Sequence, residues 1–298
     1  MIGMTNQIEK VYAGLAGRPL DVDSFDLGEG VSISVTYAHI MAPLMAAFAP
    51  APPGKHHPGP WKAVSGGFGF DILSEISIPT SSALRYNADP YATLWCIVAL
   101  IRLRNGSGIT MPALTTLPFA DVKGSGDDIS IWPLEIEPKI LQVHHDHPAK
   151  ITDLDLAWVR KFWASTCGLV SRHVEFSLTL QAFDQCVFLR HAPLALLSIW
   201  AGLESLFSGG RDELRYRISA GMAAFLEPPG LSRLTLQKEI TKLYDSRSAA
   251  AHGRFEEAHE PLKETYALAR RLLIKIIEDN HVPTRTELDA KLFGADVT

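Results

Sequence analysis

Arg247 and His252 stand five residues apart, separated by Ser-Ala-Ala-Ala, and pair a group that holds phosphate with a group that moves protons. A guanidinium presents a planar fork of donors that matches phosphate oxygens, and an imidazole changes charge near neutral pH. Together they suit cleavage of RNA by its own 2′-hydroxyl, a reaction that in principle needs no metal. On one helix the two side chains lie about 140° apart, so they share a site only if the arginine curls across or a second copy of the chain closes the gap. Thr241, Asp245, Ser248 and His252 fall on one polar stripe, while Ile240, Leu243 and the alanines Ala249 to Ala251 cover the other directions. Small alanines permit close approach of another helix. Gly253 is placed to end the helix, and a histidine at that end is favoured in its protonated form by the helix dipole. The bare R-x-x-x-x-H pattern also has a purely structural meaning, a solvated arginine followed by a helix-ending histidine.

The elements that must carry these residues are helical. From Thr152-Asp-Leu-Asp155, which offers an N-cap side chain and first-turn carboxylates, the periodicity predicts helices over 153–173, 175–190, 193–208, 211–226, 232–252, 258–279 and 284–293. Residues 1–150 read differently, being punctuated by Gly and Pro and rich in short alternating or β-branched runs. Strands are expected over 31–37, 70–78, 93–103 and 128–136, a short helix over 38–49, and a surface loop over the proline-rich 50–60. The expected fold class is α+β: a β-rich domain over 1–150, sandwich-like or a half-barrel, followed by an all-α bundle over 151–298.

Bulk properties narrow the function classes. With 47% hydrophobic and 20% charged residues the chain is expected to be globular. Its net charge of −5 divides into −4 before residue 151 and −1 after it, so neither half is a basic nucleic-acid clamp. Cys96, Cys167 and Cys186 form no C-x-x-C pair and suit reduced thiols. The first ten residues lack the pattern of a secretory signal, and the apolar runs 94–103 and 192–203 are too short to span a membrane. A cytoplasmic protein without membrane contact is expected.

The segments Leu196-Leu-Ser-Ile-Trp-Ala-Gly-Leu-Glu-Ser-Leu-Phe207, Glu213-Leu-Arg-Tyr-Arg-Ile-Ser-Ala-Gly-Met-Ala-Ala-Phe-Leu226 and Tyr244-Asp-Ser-Arg-Ser-Ala-Ala-Ala-His-Gly253 resemble, in order and spacing, the Apea-like branch of the HEPN superfamily. The likeness covers about 193–280. It implies an antiparallel helical bundle, usually dimeric, whose motif arginine and histidine line an RNA-cutting cleft; those positions here are Arg247 and His252. It further implies a metal-independent ribonuclease without cofactor, of a kind often found in phage defence or among toxins. Superfamily members often carry Asn, Asp or His directly after the arginine, where Ser248 stands here. Some HEPN domains are non-catalytic dimerisation or nucleotide-binding modules, and that alternative stays open. The N-terminal half, through Phe25-Asp-Leu-Gly-Glu-Gly30 and Val98-Ala-Leu-Ile-Arg-Leu103, loosely resembles the β-rich region that precedes such domains, where a trigger or regulatory partner would act.

Supporting residues complete the expectation. Asp245, Ser248 and Tyr244 flank the motif. Glu204 lies on the apolar stripe Leu197, Trp200 and Phe207, where a carboxylate calls for a partner. Arg215 and Arg217 on the next helix are the natural candidates, with orientation of Arg247 or His252 as the other role. His144-His-Asp-His147 and His56-His57 have metal-ligand types but no helical spacing, and no metal site is expected. Trp158, Phe162 and Trp163 could stack on bases, yet their spacing suits a core, and no function is assigned to them.

Overall fold

A computed structural model describes residues 9–41, 44–64, 69–84, 89–106, 108–125, 129–137, 150–207, 214–253 and 258–295. The strands are β1 (Lys10–Ala16), β2 (Ser24–Gly28), β3 (Val31–Met41), β4 (Leu44–Ala47), β5 (Trp61–Val64), β6 (Gly69–Pro79), β7 (Thr110–Thr115) and β8 (Ile131–Pro133). The helices are α1 (Thr80–Leu84), α2 (Pro90–Asn105), α3 (Asp153–Arg172), α4 (Val174–Gln185), α5 (Ala192–Phe207), α6 (Leu214–Leu226), α7 (Leu231–Ala251), α8 (His259–Asp279) and α9 (Arg285–Phe293). The α+β class is as expected.

Six strands form one antiparallel sheet in the order β2-β3-β6-β1-β7-β8, and β4 and β5 form a separate two-stranded sheet among the described residues. Register places Val11 beside Ile78 and Ala13 beside Ile76, with Ile33 on the far side of Ile76, so one face is apolar. The opposite face carries Tyr12 beside Ser77 and Gly14 beside Glu75. Gly14 is required there, because a Cβ would lie 2.7 Å from the ring of Phe119. The expected sandwich is corrected: the layer against the apolar face is helix α2, not a second sheet. Residues 93–103 are helical because Asp89 caps the segment, accepting from Ala92 N at 2.6 Å, and Pro90 opens the first turn. Their unbroken apolar run reflects burial on all sides, which a strand and a central helix share. The helix expected over 38–49 is corrected too, since β3 extends to Met41, paired along β6, and β4 follows. Of the strand expected over 128–136, Ile131–Pro133 is formed.

The helical half follows its predicted spans closely. Thr152 and Asp155 make the anticipated capping box, with Asp155 N to Thr152 Oγ1 at 3.2 Å. The segment expected as 175–190 ends its α-helix at Gln185 and continues as a short 3-10 turn over Cys186–Phe188. Helix α5 is central, touching α4, α6, α7 and α8. Trp163 belongs to the core and donates its indole N–H to Leu27 O at 2.9 Å.

Packing continues across residue 150. Helix α2 contacts β6 on one side and α3 and α4 on the other, and one apolar cluster includes residues of both halves. Asn105 accepts from Arg18 at 2.6 Å and donates to Lys150 O at 2.8 Å and Asp155 at 3.1 Å. Deeper in, Arg102 is 2% exposed and uses all three of its nitrogens. Nε donates to Ile109 O at 2.9 Å, Nη1 to both oxygens of Asp184 at 3.0 and 2.9 Å, and Nη2 to Glu135. Burial opposes the charge on Arg102, but Asp184 and Glu135 outweigh it and raise its pKa further.

Candidate active site on helix α7

Helix α7 ends where the sequence placed its end. His252 is the C-cap residue, its N–H reaching Ser248 O and Ala249 O at 3.2 Å each. Gly253 follows with φ +80°, the left-handed geometry that stops a helix and that a glycine adopts without strain. The imidazole is exposed.

Arg247, one turn earlier, points toward α5. Its Nη2 lies 3.0 Å from both oxygens of Glu204 and donates to Oε2. Both side chains are about a quarter exposed, at 27% and 22%. The guanidinium also lies 5.6 Å above the ring of Tyr244, which meets the buried Trp200 edge-on at 5.3 Å. Burial and the neighbouring Glu204 carboxylate raise the Tyr244 hydroxyl above its ordinary pKa, so it stays protonated at neutral pH. Arg247 Nε and Glu204 Oε1 are shielded from solvent and make no hydrogen bond among the described residues. The arginine is therefore held by Glu204 and Tyr244, and part of its donor set has no partner among the described residues.

The ion pair expected between Glu204 and Arg215 or Arg217 is corrected, since the partner of Glu204 is Arg247. Arg215 instead reaches across from α6 to Asp245. The polar stripe of α7 thus faces α6 in its upper part. Gln237 bridges Ser219 and Thr241 at 3.1 and 3.0 Å, and Asp245 is bound to Arg215 on the same side. The structure brings Arg247, Glu204 and Tyr244 together and leaves Asp245 with a different neighbour. Ser248 is half-buried beside them. His144 to His147 lie outside the described residues. His57 donates its ring N–H to Ala49 O at 3.0 Å.

Beyond the last turn of α7 lies a groove of about 630 Å³ between the starts of α5 and α8. Ala250 and Ala251 of the motif line it, with Arg190, His191 and His259 at its edge. Of the motif alanines, Ala250 is buried against its own chain, Ala249 is half-buried and Ala251 is exposed. Sequence reasoning passed over the three basic residues, because 68 positions separate His191 from His259 and only the packing of α5 against α7 and α8 joins them.

Among the described residues no group of three His, Cys, Asp or Glu side chains is arranged to hold a metal ion, and no helix is long and apolar enough to cross a membrane. No protein-family model matches the chain, and no curated protein or solved structure matches it either.

Proposed function

We propose that the chain is a metal-independent endoribonuclease of HEPN type, acting in the cytoplasm as a homodimer, with Arg247 and His252 as its catalytic residues. A role in phage defence or as a toxin, with the N-terminal half as the regulatory part, completes the proposal. The observation that carries it is the contrast at the end of α7: an exposed imidazole at the helix terminus, and one turn back an arginine anchored by Glu204 and Tyr244 with donors to spare. In the reaction, a base takes the proton of the 2′-hydroxyl, whose oxygen attacks phosphorus. The bond to the 5′-oxygen breaks, and an acid protonates that leaving oxygen. Two copies of His252 in a dimer supply base and acid, and two copies of Arg247 offset the phosphorane charge. Asp245, Ser248, Glu204 and Tyr244 would orient these groups.

The test is incubation of wild type and His252→Ala with total RNA, with and without EDTA. The expected products carry 2′,3′-cyclic phosphate and 5′-hydroxyl ends, EDTA has no effect, and the variant is slower by roughly a hundredfold, as loss of a general acid–base group entails. Products with 5′-phosphates, or activity abolished by EDTA, would break the mechanism. The Glu204 pairing also favours a second reading, a non-catalytic dimerisation or nucleotide-binding module in which Arg247 is a structural ion-pair partner. Binding of RNA without cleavage by either protein would select it.

A further inference from the structure

The groove beside the motif has a composition of its own. Its floor is apolar, with Leu197 from α5 and Ala250 and Ala251 from α7. At its edge stand Arg190, His191 and His259, all exposed, and their side chains make no hydrogen bond or ion pair among the described residues. No acidic side chain lines the groove among the described residues. A volume of about 630 Å³ falls in the range of small-ligand sites, which are mostly apolar with a few convergent polar groups. An apolar lining beside three cationic or proton-donating groups with no partner among the described residues fits a ligand with an apolar ring at one end and a phosphate at the other.

We infer that this groove is a subsite for a single nucleotide of an RNA strand, with the base against Leu197 and the two alanines and the phosphate held by Arg190, His191 and His259. The assignment of the nucleotide to RNA rests on the ribonuclease proposal. The groove itself is argued from its shape and charge. Ala250 and Ala251 directly precede the C-cap residue His252, so on this proposal the strand continues from the groove toward that imidazole. Arg190 and His191 act as positioning residues for the strand, and His259 as the third contact to phosphate.

The test uses the full chain and calorimetric titration with adenosine 3′-monophosphate, cytidine 3′-monophosphate, adenosine and inorganic phosphate. At least one of the two nucleotides should bind about tenfold or more tightly than either adenosine or phosphate, because both ends of the groove are then engaged. The double variant Arg190→Gln/His191→Gln should lose about tenfold in nucleotide affinity with an unchanged melting temperature, since both side chains are exposed. His259→Gln should weaken binding in the same direction. Nucleotide affinity equal to that of phosphate, or unchanged in these variants, would overturn the subsite. RNA cleavage separates this from the proposal it rests on. Cleavage that needs His252 but is unaffected in the double variant and in His259→Gln, with unaltered nucleotide binding, would remove the groove and leave the ribonuclease standing. Nucleotide binding that is lost in the variants of a protein that cuts no RNA would do the reverse.

Discussion

Arg102 and Arg247 both pair with carboxylates between helices, and the two sites differ in almost every other respect. Arg102 is closed off from solvent, and every nitrogen of its guanidinium has a partner. Asp184 opposite it also accepts from the indole of Trp95 at 3.0 Å, and Glu135 accepts Met111 N at 2.7 Å. Nothing there is left for a ligand. Arg247 is about a quarter exposed and spends one nitrogen on Glu204, while its Nε, shielded from solvent, has no partner among the described residues. A saturated buried pair is a structural device, whereas a partly satisfied pair at a surface can exchange its partner for a phosphate.

The comparison breaks first at Arg102. Replacing it by Ala leaves Asp184 and Glu135 as buried, uncompensated charges and should cost about 3–5 kcal/mol of stability, read as a large drop in the denaturant midpoint. A loss below about 1 kcal/mol would show that the site is hydrated and that the contrast with Arg247 is false. Arg247→Lys comes next. It should leave stability within about 1 kcal/mol of wild type, as for other partly exposed pairs, while RNA cleavage falls because an ammonium cannot reproduce a bidentate grip on phosphate. Unfolding comparable to that of the Arg102 variant would make Arg247 structural.

The smallest effect extends the comparison to a carboxylate with no cationic partner among the described residues. Glu75, on the polar face of the sheet, is 8% exposed and accepts Phe119 N at 2.8 Å. Burial raises its pKa, the backbone donor lowers it less, and Asp121 adds to the rise. A carboxyl with a raised folded pKa binds its proton more tightly in the native state, so its contribution to stability is present at acid pH and is lost as pH rises through the carboxyl range. Glu75→Gln should therefore melt like wild type near pH 4 and modestly higher near pH 7. A difference that shrinks toward neutral pH would mean that the carboxylate is stabilised where it lies.

The helical half was legible because its punctuation is local. Thr152 with Asp155 and Gly253 each announce a helix end within a few residues, and each forms as its sequence suggests. Helix α2 was misread because its apolar run has no period, although Asp89-Pro90 carried the start signal. The site was legible as far as one helix could show it. Arg247 and His252 could be named, but which residue holds Arg247 depended on the packing of α5 against α7, and the same ambiguity sent Glu204 to the wrong arginine. The groove residues were invisible because no single element contains them.

The Arg102 to Asp184 tie also bears on how such a chain can be recombined. Helix α2 is threaded between strands β6 and β7, so it cannot leave the sheet. Its buried arginine and Asn105 fasten it to α4 and to the start of α3. Exchange of one half for an unrelated partner at residue 150 would carry away the counter-charge of Asp184 and uncover the flank of α3. A second half that lacks a carboxylate at the place of Asp184 would leave the Arg102 guanidinium buried without that partner, so in any recombined chain the pair 102 and 184 has to move as one unit.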